Sequence, residues 1–110
     1  MKLKEKTIQI KIPFLQRFKT PMLNDVKTMT SRTRRYGEKG DWFKAFEVNF
    51  RLDSVEPQPF SFVIEHWKEE GCNSKEDFLS VWKQIHPRRI FLDDYCLFVH
   101  RFHRVGSIKA

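Results

Sequence analysis

The residues best suited to chemistry are the basic and hydroxyl side chains between positions 17 and 44, here called the basic segment. Its basic members are Arg17, Lys19, Lys27, Arg32, Arg34, Arg35, Lys39 and Lys44. On a strand, alternation puts Thr28, Thr30, Arg32 and Arg34 on one face. Hydroxyl and guanidinium groups bind phosphate oxygens and base edges. The segment therefore predicts a nucleic-acid or nucleotide binding surface, with a solvated polar strand as the alternative.

The net charge of +7 lies entirely in the first half of the chain. Up to Val55 there are 13 basic and 6 acidic residues, and after it there are 8 of each. The pI is about 9.7. Clustered positive charge in a domain this basic is typical of polyanion binders, because neutralising phosphates releases condensed counterions. The expected partner is RNA, or a nucleoside or nucleotide.

The chain of 110 residues has the length of one domain. We expect a single domain over residues 1–110, with its core at about 7–104. Cys72 and Cys96 form no Cys-x-x-Cys pair and indicate reduced thiols. No apolar run approaches the roughly 18 residues needed to cross a bilayer. We expect a cytoplasmic monomer with no membrane association, no metal and no cofactor.

Hydrophobic periodicity and chain breakers predict the elements that must position the basic segment. In order, they are a strand at 7–12, a short helix at 20–25, a strand at 26–34, a strand from 42 that prolines end at 56–59, helices from 60 and 74, and a strand at 95–105. Ser74 and Asp77 resemble a capping box for the second long helix. Tyr36 and Trp42 flank a glycine loop and are candidates for stacking on a base.

This order of elements predicts an α+β fold. A small mixed sheet would curl into a barrel, and two or three helices would cover one side of it. Most aromatic residues fall at regular helical or strand spacing, which indicates core packing.

One run of residues resembles a known family. Lys27-Thr28-Met29-Thr30-Ser31-Arg32, the later Gly40-Asp41, and Glu70-Gly71 before an amphipathic helix are similar to the ASCH family, a branch of the PUA-like barrels. The similarity spans roughly residues 7 to 104. It implies a small β-barrel with flanking helices, and a function in RNA binding or RNA-linked catalysis.

A second resemblance is to short bacterial amidohydrolases that deacetylate N(4)-acetylcytidine. It rests on Arg17-Phe18, Lys27, Thr30, Glu70 and Ile85-His86-Pro87. This resemblance implies a catalytic triad of Lys27, Thr30 and Glu70. A threonine nucleophile needs a base, and a partly desolvated lysine can serve as one. Residues three apart on a strand face opposite ways, so Lys27 must lie before the strand to meet Thr30.

The chain departs from those amidohydrolases at two places. They usually have glycine where this chain has Asp25, and acidic residues where it has Thr33-Arg34-Arg35. The second difference favours a polyanionic ligand. The leading hypothesis is a module that binds RNA or a nucleotide, and the amidohydrolase is the alternative. A ribonuclease that uses Lys27, and a module for an acidic protein partner, also stay open.

Overall fold

The computed structural model describes residues 6–106. A 3₁₀ turn at Gln16–Phe18 precedes helix α1. The other elements are α1 (Lys19–Leu23), β1 (Met29–Arg32), β2 (Trp42–Ala45), β3 (Val48–Pro59), α2 (Phe60–Glu65), α3 (Lys75–Ile85) and β4 (Cys96–Val105). The strands form one sheet in the order β1–β4–β3–β2, and all three pairings are antiparallel. The sheet curls into a half-barrel, which confirms the predicted α+β class.

The sheet curves at an irregularity in the pairing of its two longest strands. The register between β3 and β4 shifts between Leu52 and Ser54, where one extra residue bulges from β3. Bulges of this kind increase the local bend and twist of a strand. The core lies against the curved sheet. There Phe43, Phe50 and Phe102 pack with ring centroids 5.4 to 5.5 Å apart.

The strand predicted from residue 42 is in fact a hairpin of β2 and β3. Its turn residues, Phe46 and Glu47, have φ angles of 51° and 65°. Two successive positive φ angles close a two-residue hairpin loop with the twist that the strands require. Phenylalanine and glutamate rarely adopt this conformation, so the alternating pattern runs through the turn without a sequence signal.

The prediction that prolines end this strand is also wrong, because β3 continues to Pro59. Pro57 and Pro59 lie opposite Phe98 and Cys96 of β4. The pairing of β3 with β2 covers only residues 48 to 51. Among residues 6–106, the later part of β3 is paired on one side only, and a proline is tolerated at an edge that needs no N–H donor.

The strand predicted at 7–12 is reduced to a single bridge between Gln9 and Trp42. Asp41 holds the start of this segment through a hydrogen bond from the Ile8 N–H to its Oδ1, at 3.0 Å. Ile12 is buried, but Ile8 is half exposed. The alternating isoleucines therefore do not share one buried face.

The predicted helices are all present, but some of their ends differ from the predicted ones. Helix α1 begins at Lys19 and ends at Leu23. Asp25 follows it with a φ of 59°, so aspartate adopts the left-handed conformation that glycine favours. Ser74 caps α3 as predicted and accepts a hydrogen bond from the Asp77 N–H at 3.0 Å. The predicted strand at 95–105 is confirmed as β4.

Candidate functional site

The turn after α1 places Lys27 just before β1, inside the protein. Lys27 is 3% exposed and Glu70 is 5% exposed. The Lys27 ammonium donates hydrogen bonds to the Met29 carbonyl at 2.9 Å and to the Glu70 carbonyl at 2.6 Å. Its Nζ lies 3.6 Å from Glu70 Oε1. The structure thus pairs two of the residues that the amidohydrolase resemblance singles out.

The segment at 69–71 packs directly on the start of β1. The N–H groups of Thr28 and Met29 donate to the Glu69 carbonyl. Gly71 has a φ of 89°, and a Cβ placed on it would lie 2.7 Å from Lys27 Cβ. Only glycine fits this close approach without movement of the lysine. Glycine at 71 therefore allows the carboxylate and the ammonium to meet.

Two neighbouring hydroxyls of β1 have different partners. Ser31 Oγ donates to Glu70 Oε2 at 2.6 Å. Thr30 Oγ1 accepts a hydrogen bond from Arg32 Nε at 3.0 Å, and Arg32 also donates to the Pro13 carbonyl at 2.6 Å. Both hydroxyl residues are buried. Lys27, Thr30, Ser31 and Glu70 are called the polar end of the site below.

Burial sets the ionisation of the lysine. Desolvation lowers the pKa of Lys27 below its ordinary value, and the nearby Glu70 carboxylate opposes part of this shift. The ammonium also lies 4.4 Å from the centroid of the Phe18 ring, within the range of cation–π attraction. The polar end thus holds an amine that loses its proton more readily than an exposed lysine.

A cavity of about 400 Å³ opens onto the polar end. Its walls are mainly aromatic and aliphatic, and come from three stretches of chain: 13–18, 27–36 and 70–86. The aromatic lining residues are Phe14, Phe18, Tyr36, Phe78, Trp82 and His86. Within residues 6–106, Trp82 Nε1 is a buried donor that has no hydrogen-bond partner. The volume lies in the range of small-molecule sites.

His100 fixes the strand and the loop that border this cavity. Its Nδ1 lies 3.2 Å from the Thr30 carbonyl and 3.0 Å from the Phe98 carbonyl, and its Nε2 accepts from the Tyr36 N–H at 3.0 Å. These contacts require the neutral ring with its proton on Nδ1. Burial lowers the pKa of His100 to about 4, so the ring is neutral at physiological pH.

The predicted site residues divide into two groups. Lys27, Thr30, Arg32 and Glu70 line the cavity. The other predicted residues, Arg17, Lys19, Thr28, Arg34, Arg35, Lys39 and Lys44, lie outside its lining. Arg17 forms a bidentate ion pair with Asp77, and Thr28 borders a smaller hollow.

Arg34, Arg35, Lys39 and Lys44 are exposed and are called the outer basic group below. Arg34 lies over the Tyr36 ring, 4.6 Å from its centroid, and its hydrogen bond to the hydroxyl lowers the pKa of Tyr36. Arg35 donates to the Val55 carbonyl at 3.2 Å. Tyr36 lines the cavity, whereas Trp42, the other aromatic residue expected beside the glycine loop, does not.

Sequence reasoning assigned no role to Ser31 or to the cavity faces of Trp82 and His86. Ser31 lies inside the quoted motif, but its partner is 39 residues away. The spacing of Trp82 predicted core packing, and it does pack on Phe60 with ring centroids 5.4 Å apart. The Ile-His-Pro sequence points to His86 through the amidohydrolase resemblance, without a role for its ring in the cavity.

Comparison with solved structures identifies the fold. The ASCH domain from Lactobacillus crispatus superposes with a TM-score of 0.64 at 12% identity, over 89% of this chain and 79% of that one. The chain has an ASCH-like fold. Protein EF3133 from Enterococcus faecalis gives a TM-score of 0.64 at 15% identity, over 96% of this chain and 79% of the other. Hypothetical protein PH0355 gives a TM-score of 0.62 at 12% identity, over 90% of this chain and 97% of the other.

Sequence comparison adds no further relative to this ASCH-like fold. No family model matches the chain, and no curated protein matches it. Within residues 6–106, no three His, Cys, Asp or Glu side chains are grouped closely enough to hold a metal ion. In the same range, no helix has the length and apolarity to span a membrane.

Proposed function

We propose that the protein binds a nucleotide, free or as one unit of an RNA chain, with the base in the cavity and the phosphates on the outer basic group. The observation that carries this proposal is the cavity of about 400 Å³, which joins aromatic walls to a charged polar end. Every nucleobase has a π-face that stacks on aromatic rings, and its edge carries donors and acceptors.

The walls suit a flat ligand. Tyr36 and Trp82 belong to different stretches of chain and both line the cavity. Arg32 lies 5.1 Å from the Phe14 ring centroid and 5.5 Å from that of Tyr36. The planar guanidinium adds another surface on which a base can stack. At the polar end, the Glu70 carboxylate and the Thr30 and Ser31 hydroxyls supply hydrogen-bonding groups for a base edge.

The phosphates belong to the outer basic group in this proposal. These side chains are exposed and follow β1 in the chain, and Arg34 touches the cavity-lining Tyr36. Each phosphate contact on a single strand contributes a slope of about −0.7 to log K against log salt. An RNA ligand therefore binds with a steep dependence on salt, and a nucleoside binds with almost none.

An NMR titration of the labelled protein tests this function. A short single-stranded RNA is expected to shift the resonances of Tyr36 and the outer basic group, with affinity that falls as salt rises. Heparin is the control polyanion. Equal competition by heparin would leave only non-specific charge and contradict the proposal, as would binding that salt does not change. The same competition distinguishes RNA from an acidic protein partner.

Deacylation of an acylated cytosine nucleoside is the second candidate, favoured by the surroundings of Lys27. This buried lysine, whose pKa burial lowers, shares the cavity with Thr30 and Glu70. The amidohydrolase resemblance assigns the nucleophile to Thr30, the base to Lys27 and an orienting role to Glu70. In that assignment a neutral lysine accepts the hydroxyl proton.

Release of acetate from N(4)-acetylcytidine, followed by NMR, tests the second candidate. Wild-type protein is expected to form acetate. Glu70→Gln is expected to slow its formation while the cavity still binds the nucleoside. Absence of acetate with wild-type protein would exclude this reaction, and an unchanged rate in Glu70→Gln would exclude a role for Glu70 in it. Binding without turnover would leave the nucleotide-binding function standing.

A further inference from the structure

We propose that Ser31, and not Thr30, is the nucleophile of the acyl-transfer reaction; this rests on the second candidate function. Of the two adjacent hydroxyls, only Ser31 is hydrogen-bonded to the Glu70 carboxylate, at 2.6 Å. Thr30 instead accepts a hydrogen bond from Arg32. A hydroxyl nucleophile is activated by a base within hydrogen-bond reach.

Strand geometry explains this difference between the two residues. Successive residues on a strand face opposite ways, so Ser31 and Thr30 point away from each other, and Ser31 is the one that meets Glu70. Lys27 lies in the turn before β1, and its ammonium donates to the Met29 carbonyl. Glu70 bridges the two, with Oε1 3.6 Å from Lys27 Nζ and Oε2 bound to Ser31. The lysine, the carboxylate and the serine hydroxyl thus form one continuous chain of contacts.

The chemistry balances with water as the only co-reactant. Ser31 Oγ attacks the acyl carbonyl carbon and passes its proton to Glu70 Oε2. The carbon–nitrogen bond breaks, and the leaving amine takes that proton. Water then attacks the ester on Ser31 and gives a proton to Glu70, which returns it to Ser31 Oγ as the acid leaves. Lys27 Nζ lies 3.6 Å from Glu70 Oε1 and holds the carboxylate in place through these steps.

Thr30 and Arg32 have a different role in this arrangement. The Arg32 guanidinium is held by the Pro13 carbonyl and donates to Thr30 Oγ1. Arg32 lines the same cavity as Ser31, where this cation, which Thr30 helps to hold, stabilises the negative charge that develops on the carbonyl oxygen. Loss of the Thr30 hydroxyl is therefore expected to reduce the rate without removing the acyl acceptor.

Direct detection of the acyl-enzyme tests the assignment. The full chain is treated with 4-nitrophenyl acetate, quenched in acid and digested. Fragmentation of the peptide then separates Ser31 from Thr30. An acetyl ester on Ser31, cleaved by hydroxylamine, is the expected result, whereas acetylated lysines resist hydroxylamine. An ester on Thr30, or no ester on either residue, would overturn the assignment.

Two adjacent substitutions provide matched variants. Ser31→Ala is expected to remove the ester and lower acetate release from N(4)-acetylcytidine by about 1,000-fold or more. Thr30→Ala is expected to keep the ester and lose at most about tenfold, the size of one hydrogen bond. Ser31→Cys keeps a nucleophile at this position and is expected to form a thioester. Wild-type rates in Ser31→Ala would refute the proposal.

The same experiments separate this proposal from the function on which it rests. Acetate release by wild-type protein with an ester on Thr30 would support the hydrolase and refute Ser31. Ester formation on Ser31 without any cleavage of N(4)-acetylcytidine would support Ser31 as nucleophile and exclude that substrate. Spectra of each variant check that the cavity is folded, and the ester on wild-type protein requires no variant.

Discussion

The charged residues at the polar end of the cavity are buried, whereas those of the outer basic group are exposed. Lys27 and Glu70 are almost completely buried and are held by fixed partners. Arg34, Lys39 and Lys44 are exposed to solvent. Burying an ion costs several kcal/mol unless partners compensate for it, and an exposed charge costs little. The buried charges are therefore part of the folded structure, and the exposed ones are available to a ligand.

The largest expected effect comes from breaking the buried pair. Glu70→Gln leaves the Lys27 ammonium buried without its carboxylate and is expected to lower the free energy of unfolding by about 3 to 5 kcal/mol. Urea unfolding measures the loss. The matched control is Glu65→Gln, because Glu65 pairs with Lys75 at 2.9 Å on the surface, and there no measurable change is expected. Equal losses in the two variants would contradict the comparison.

The next effect is a dependence on pH that comes from His100. Burial lowers its folded-state pKa to about 4, against about 6.5 in the unfolded chain. Between pH 4 and pH 6.5 the unfolded chain binds more protons than the folded protein. The stability that depends on a neutral His100 is therefore complete above pH 6.5 and is lost as the pH falls toward 4. The shift corresponds to about 3 kcal/mol. Urea unfolding across this pH range measures the loss of stability. His100→Gln is expected to make the free energy of unfolding depend less steeply on pH. An equally steep dependence in that variant would argue against His100.

A smaller loss is expected from Gly71→Ala. The added Cβ meets Lys27 Cβ, and an alanine at a φ of 89° is strained, so together they are expected to cost about 2 to 3 kcal/mol. Thermal unfolding measures this change. Gly106→Ala is the control, since a Cβ there has nothing within 4 Å. Similar midpoints for the two variants would show that the approach of residue 71 to Lys27 is not tight.

The outer basic group is expected to have the smallest effect on stability. Single substitutions of Arg34, Lys39 or Lys44 to alanine are expected to leave the unfolding midpoint unchanged, because these side chains are exposed. In the proposed RNA complex, each residue that contacts a phosphate is expected to reduce the salt slope by about 0.7. Lys83→Ala, on the exposed side of α3, is the control. Equal slopes in all variants would place the RNA elsewhere.

The sequence predicts the outer basic group and the polar end of the cavity to different extents. The outer basic group was predictable from composition, because an exposed charge depends on little besides its own residue. Lys27, Thr30 and Glu70 came from a family resemblance. The contact between Ser31 and Glu70 has no local signature, because the two residues are 39 positions apart.

Backbone conformation explains the errors in the predicted fold. Phe46 and Glu47 take positive φ angles that neither residue favours, so the hairpin between β2 and β3 was predicted as one strand. Asp25 takes a left-handed φ in the same way, and the turn that leads to Lys27 forms without glycine. The capped helix α3 and strand β4 were predicted well, because a cap and an alternating pattern are local features.

The position of β4 in the sheet has a consequence for synthesis of the protein. Among the strands in residues 6–106 this one comes last, yet it lies between β1 and β3, and Met29 pairs with Arg101. While the ribosome is still making the chain, β1 has no neighbouring strand until residues near 101 have left the exit tunnel. β1 carries Thr30, Ser31 and Arg32 of the cavity lining and is therefore expected to take its final position only after β4 has emerged, so nascent chains that lack β4 are expected to have an incomplete binding site.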